Sequence, residues 1–102
     1  MDRHEEQDLA AGGPDARVLI LEDGTTAKVS VAVFKAKLGY QFYAYLRFKS
    51  KGQNTKKYVG NVSAETRAES LKLGWALVRS KKVVENFGWR WERPTRGRGS
   101  AR

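Results

Sequence analysis

Residues 40–49, YQFYAYLRFK, alternate with period two. Tyr40, Phe42, Ala44, Leu46 and Phe48 fall on one side of a strand. Gln41, Tyr43, Tyr45, Arg47 and Lys49 fall on the other. The first side can pack on a core. The second joins two phenol rings to two cations. Rings of this kind stack on bases, and cations neutralise phosphates. The same pattern also serves a plain antiparallel strand whose tyrosines cover their cross-strand neighbours.

Other chemistry is thinly represented. The chain has no cysteine and one histidine, His4. That leaves no thiolate site, and no zinc site or histidine base in the expected folded part. Glu65, Glu69 and Glu85 read as helix-surface charges. No phosphate-cradling glycine loop or nucleophile elbow occurs. The expectation is a non-enzyme with no metal and no cofactor.

The charge is unevenly spread. Residues 1–24 carry seven acids and two bases, residues 25–62 eight bases and no acid, and residues 63–102 ten bases and four acids, for a net +9 over 102 residues. An acid-free basic block favours a polyanion as partner. Anionic lipid fits less well, because most of the bases lie on expected strands and tail and not on an amphipathic helix. The start of the chain is polar and acidic and no long apolar run follows, so the reading is a soluble intracellular protein (cytoplasm or nucleoid) without a membrane partner. The lack of cysteine fits a reducing compartment.

The elements that must position the strand follow from pattern. Residues 1–15 hold a small-residue run, AAGGP, and read as a disordered acidic arm, solvated or folded back on the basic surface. Residues 17–21, RVLIL, form a first strand, and Asp23-Gly24 a hairpin turn. Residues 25–37 alternate as a second strand whose parity fails near Phe34, where either a bulge lies or the strand end leaves the core. After the 40–49 strand comes a polar turn, then a strand over 55–62 with Gly60 near its end, where a close backbone approach or a bulge fits. Ser63 is the expected N-cap of a helix, with Glu65 in its first turn. Its stripe is Ala68, Leu71, Trp75 and Val78, packed on Phe42, Leu46 and Phe48. Gly74 leaves room for a packed neighbour. A kink or second short helix ends at Gly88. Residues 89–93, WRWER, form a short strand or cross the sheet edge. Residues 94–102 are a Gly/Arg tail expected to be disordered.

Residues 40–79 resemble the three-stranded-sheet-plus-helix module of ethylene-response-factor and phage-integrase arm-binding domains. The matching pieces are FYAYLRF, KGQN, KYVGNV, SAET and the helix from Ala68 to Val78. That family lays its sheet in the DNA major groove with arginines and aromatics exposed. By resemblance, Tyr45, Arg47, Lys49 and Lys57 are contact residues. The arginine-rich first strand of the family is replaced here by Lys28, Lys35 and Lys37.

The expected architecture is thus α+β: an antiparallel sheet of three or four strands on one main C-terminal helix. It divides into the arm 1–15, one domain over 16–93, and the tail 94–102. The expected function is nucleic-acid binding, to DNA or RNA, through Tyr43, Tyr45, Arg47 and Lys49, with Lys28 on the preceding strand. Lys56 or Lys57 joins them from the next strand, the register being open, with Lys51 in the turn and Arg96 and Arg98 in the tail. The alternative is a small phage or mobile-element module that docks on a nucleoprotein complex. Duplex and single-stranded targets both stay open, with Trp89 and Trp91 as further rings for the latter.

Overall fold

The computed structural model describes residues 2–37 and 39–93. The fold is α+β, with two three-stranded antiparallel sheets in place of the single sheet expected. One sheet has the order β2-β1-β6, from Thr26–Lys28, Val18–Ile20 and Arg90–Trp91; the other has the order β3-β4-β5, from Ser30–Lys35, Phe42–Ser50 and Gln53–Asn61. Three α-helices accompany them: α1 (Arg3–Ala11), α2 (Arg67–Ser80) and α3 (Val83–Asn86).

The period-two reading of the 40–49 strand holds from Phe42 onward, whereas Tyr40, expected on the packed side, precedes β4 and is 85% exposed. Ala44, Leu46 and Phe48 are buried, and Arg47 and Lys49 are exposed. The polar turn shrinks to Lys51-Gly52, both at positive φ (53° and 79°), between the paired residues Ser50 and Gln53. Two positive φ values in a two-residue loop match the right-handed twist of the strands they join.

The strand expected over 25–37 is split. β2 pairs with β1, β3 pairs with β4, and Val29 lies at the corner between them. Arg17 fixes that corner: its carbonyl accepts from Val29 N at 2.8 Å, and its Nε donates to Val29 O at 3.0 Å. The β3–β4 register runs without interruption to Lys35 opposite Phe42. The irregularity lies in β5, where Gly60 faces Ala44 but Tyr58 faces Tyr45. Val59 is the extra residue, and a bulge leaves such a residue outside the ladder. Its carbonyl accepts from Lys81 Nζ at 2.7 Å.

Helix α2 is capped by Thr66, not Ser63. Thr66 and Glu69 form a reciprocal capping box, the pairing that satisfies two orphan N–H groups at once. The Ser63 hydroxyl instead accepts from Phe42 N. Leu71, Trp75 and Val78 are buried as expected, whereas Ala68, in the first turn of the helix, is exposed. Phe42 is half-buried and packs on the core that contains Leu46 and Phe48. The chain then turns through α3 to Gly88 at φ 84°.

Gly74 lies where the helix meets the sheet. A Cβ there would stand 2.8 Å from Val31 Cγ1 and 3.3 Å from Ala44 Cβ. Replacing a mid-helix glycine by alanine gains about 1 kcal/mol of propensity, but overpacking a filled core costs about 1–3 kcal/mol. Val31 is buried and its backbone is held on both sides, so the clash outweighs the gain. Gly74→Ala should therefore lose about 1 kcal/mol net, read as a lower urea midpoint at unchanged slope.

The arm expected to be disordered over 1–15 is structured. Helix α1 has its own capping box, Asp2 with Glu5, and ends at Gly12 with φ 101°. It docks through polar groups. Gln7 Nε2 donates to Val31 O at 2.8 Å, Gln7 Oε1 accepts from Val31 N at 3.0 Å, and the same oxygen accepts from Trp75 Nε1 at 3.0 Å. The primary amide thus replaces a neighbouring strand at the β3 edge and satisfies a buried indole, which would be costly to leave unpaired. Residues 94–102, expected to form a disordered tail, lie outside the described residues.

Candidate nucleic-acid interface

The β3-β4-β5 sheet packs one side on α2 and leaves the other outward. Register places side chains on that outer side in rows across the strands. Phe34, Tyr43 and Asn61 form one row; Ala32, Tyr45 and Tyr58 the next; Ser30, Arg47 and Lys56 the third. Lys49 and Asn54 follow. The rings gather in one half and the cations in the other.

The rings touch each other edge to face. Phe34 and Tyr45 centroids are 5.7 Å apart at 71°, and Tyr45 and Tyr58 are 5.4 Å apart at 68°. Tyr43 lies 6.2 Å from Tyr58. Phe34 is 42% exposed and Tyr58 55%. Lys56 joins the two halves, with its ammonium 4.9 Å from both the Phe34 and the Tyr45 centroid.

Beside the rings, Lys28, Ser30, Arg47, Lys49 and Lys56 line an open depression of about 510 Å³. Lys28 comes from β2 and enters the face at the corner made by Val29. Among the described residues no carboxylate pairs with Lys28, Arg47, Lys49 or Lys56. A second depression, about 660 Å³, runs along β3 past Ala32 and Phe34 to Arg3, His4, Glu6 and Arg67, the last two forming an ion pair at 3.5 Å.

Tyr43, Tyr45, Arg47 and Lys49 share this outer face as expected, with Lys28 at its end. The open choice falls to Lys56, which is opposite Arg47. Lys57 is opposite Leu46, whose side chain enters the core, and its ammonium sits 4.5 Å over the Phe87 ring. The bulge at Val59 explains why the sequence did not settle the choice, since it shifts the parity of β5 relative to β4. Lys51 is withdrawn from the face by its ion pair with Asp23. The Lys51 ammonium and the Thr25 hydroxyl and N–H hold that carboxyl far below the usual carboxylate range. Arg96 and Arg98 lie outside the described residues.

Trp89 and Trp91 are not available as stacking rings, because both are buried. Trp89 packs edge-on to Phe48 at 5.1 Å, and Trp91 lies 6.2 Å from Trp75 with Arg79 4.5 Å over its ring. Conversely, Phe34 and Tyr58 were missed as site residues. The signal for Tyr58 was its place in KKYVG, but only the register brings it beside Tyr45. Among the described residues no group of three or more acidic or imidazole side chains could hold a metal ion. No described helix is long and apolar enough to cross a membrane. Comparison of the chain with protein-family models, with curated proteins and with solved structures gave no match.

Proposed function

We propose that this protein binds nucleic acid, without catalysis, through the outer side of the β3-β4-β5 sheet. The observation that carries the reading is the composition of that side: four cations and four aromatic rings, with no carboxylate in any of its rows. A merely solvated face needs polarity but gains nothing from four unneutralised cations, whose mutual repulsion opposes folding. A phosphate backbone removes that repulsion and releases counterions. The resemblance to sheet-plus-helix DNA-binding modules supports the same side of the sheet, with Tyr45, Arg47 and Lys49 as its contacts. Lys57, the fourth contact it implies, points the other way. Arg96 and Arg98 add phosphate contacts from the tail.

The test is Arg47→Ala combined with Lys49→Ala. Both side chains are exposed, so the fold should be retained. Removing one cation that meets a phosphate should reduce the salt slope of binding by about 0.7–0.9. For the double variant the expected slope is shallower by about 1.5, with weaker binding at low salt, in titrations at several salt concentrations. A folded double variant that binds every nucleic acid as the wild type does would transfer the reading to a protein-docking surface.

A further inference from the structure

The separation of rings from cations narrows the class of nucleic acid. A duplex offers phosphates and base edges but no free base faces, so exposed rings would gain little from it. A single strand offers unstacked bases, and stacking them on aromatic side chains is the main sequence-tolerant source of affinity. Phe34 and Tyr58 are large, exposed and placed on either side of Tyr45. On the β3 side the middle row holds only Ala32, a side chain of one carbon, so no bulky neighbour covers Tyr45 from that strand.

We infer that the face takes single-stranded nucleic acid, with bases on Phe34, Tyr45 and Tyr58 and phosphates on Lys28, Arg47, Lys49 and Lys56. This rests on the nucleic-acid reading above and names the substrate class of the same site. Lys56 is the hinge of the arrangement. Unliganded, its ammonium lies over two rings. An exposed cation–π contact favours that position by about 2- to 5-fold. A stacked base favours its own position by about 5- to 150-fold. The base therefore displaces the ammonium, which moves to the phosphate of the same nucleotide.

The experiment compares the full chain with Tyr58→Leu, Phe34→Leu and Arg47→Ala/Lys49→Ala. The probes are a thymidine oligomer, a uridine oligomer of equal length and a mixed-sequence duplex. Leucine keeps the apolar cover of the sheet while removing the ring, and circular dichroism melts confirm folding. The inference predicts that wild type binds one or both single strands more tightly than the duplex. It also predicts that each ring variant loses about 5- to 150-fold on the single strand and less than about 2-fold on the duplex. Tighter binding to the duplex, or equal loss on all probes from the ring variants, would overturn it. If the ring variants change nothing while Arg47→Ala/Lys49→Ala weakens every probe, the single-strand inference fails and the nucleic-acid reading stands. If Arg47→Ala/Lys49→Ala also changes nothing, both fail. The thymidine and uridine arms separate DNA from RNA.

Discussion

Trp75→Ala should lower the stability of this domain by about 3–5 kcal/mol, the range for truncating a large aromatic in a packed core. Trp75 is 1% exposed and is the largest fully buried side chain among the described residues. It touches three parts of the molecule. Its helix packs on the β3-β4-β5 sheet, its indole N–H donates to Gln7 on α1, and its ring meets Trp91 of the other sheet. The cavity left by alanine has rigid walls, since Val31 and Ala44 already crowd Gly74 one residue away. A domain of this size has about 5–15 kcal/mol in total, so the variant should melt far below the wild type or be largely unfolded at body temperature. Trp75→Phe should recover part of the loss, because it fills most of the volume but cannot donate to Gln7. A melting temperature within a few degrees of wild type for Trp75→Ala would mean that α2 does not pack as described.

Arg17→Met should cost about 3 kcal/mol, the lower end of the range for breaking a buried ion pair from one side. Arg17 is 1% exposed, an unusual place for a guanidinium unless its donors are used. It forms an ion pair with Asp8 at 2.7 Å and donates to Val29 O at 3.0 Å and Ser30 Oγ at 2.9 Å. Methionine matches the volume of the stem but leaves Asp8 without its cation and Val29 O without its donor. The lower end of the range applies because Asp8 is partly solvated. The loss should appear as a lower denaturant midpoint together with faster amide exchange in α1, since Arg17 holds that helix to the corner between the two sheets. Unchanged exchange in α1 would show that Gln7 alone suffices to dock it.

The outward strand face was legible in the sequence because one strand carried it whole. In β4, apolar and polar residues alternate without a break, so parity assigned Tyr43, Tyr45, Arg47 and Lys49 correctly. Parity failed one strand later. The bulge at Val59 moves Lys57 to the core side and Lys56 to the outer side, and its only trace in the sequence is Gly60. The corner at Val29 left no trace, because Ala27, Val29 and Val31 keep one parity while the chain changes sheets. Helix α1 was missed for a different reason. Its contacts are made by an amide, a carboxylate and small alanines, so no apolar stripe advertises it, and its acids resemble those of a solvated arm. The alternation WRWER reads alike for an outer strand and an inner one; only the pairing of Trp91 with Leu19 puts it inside.

The central claim is that four exposed cations on one sheet face meet phosphate. The most direct measurement is the affinity of the unmodified chain for a single-stranded oligonucleotide as a function of salt. Four phosphate contacts at about 0.7 each predict that log Kobs falls against log salt with a slope of about −3, steeper if the tail arginines also engage. A slope near zero, or no binding even at low salt, would contradict the account.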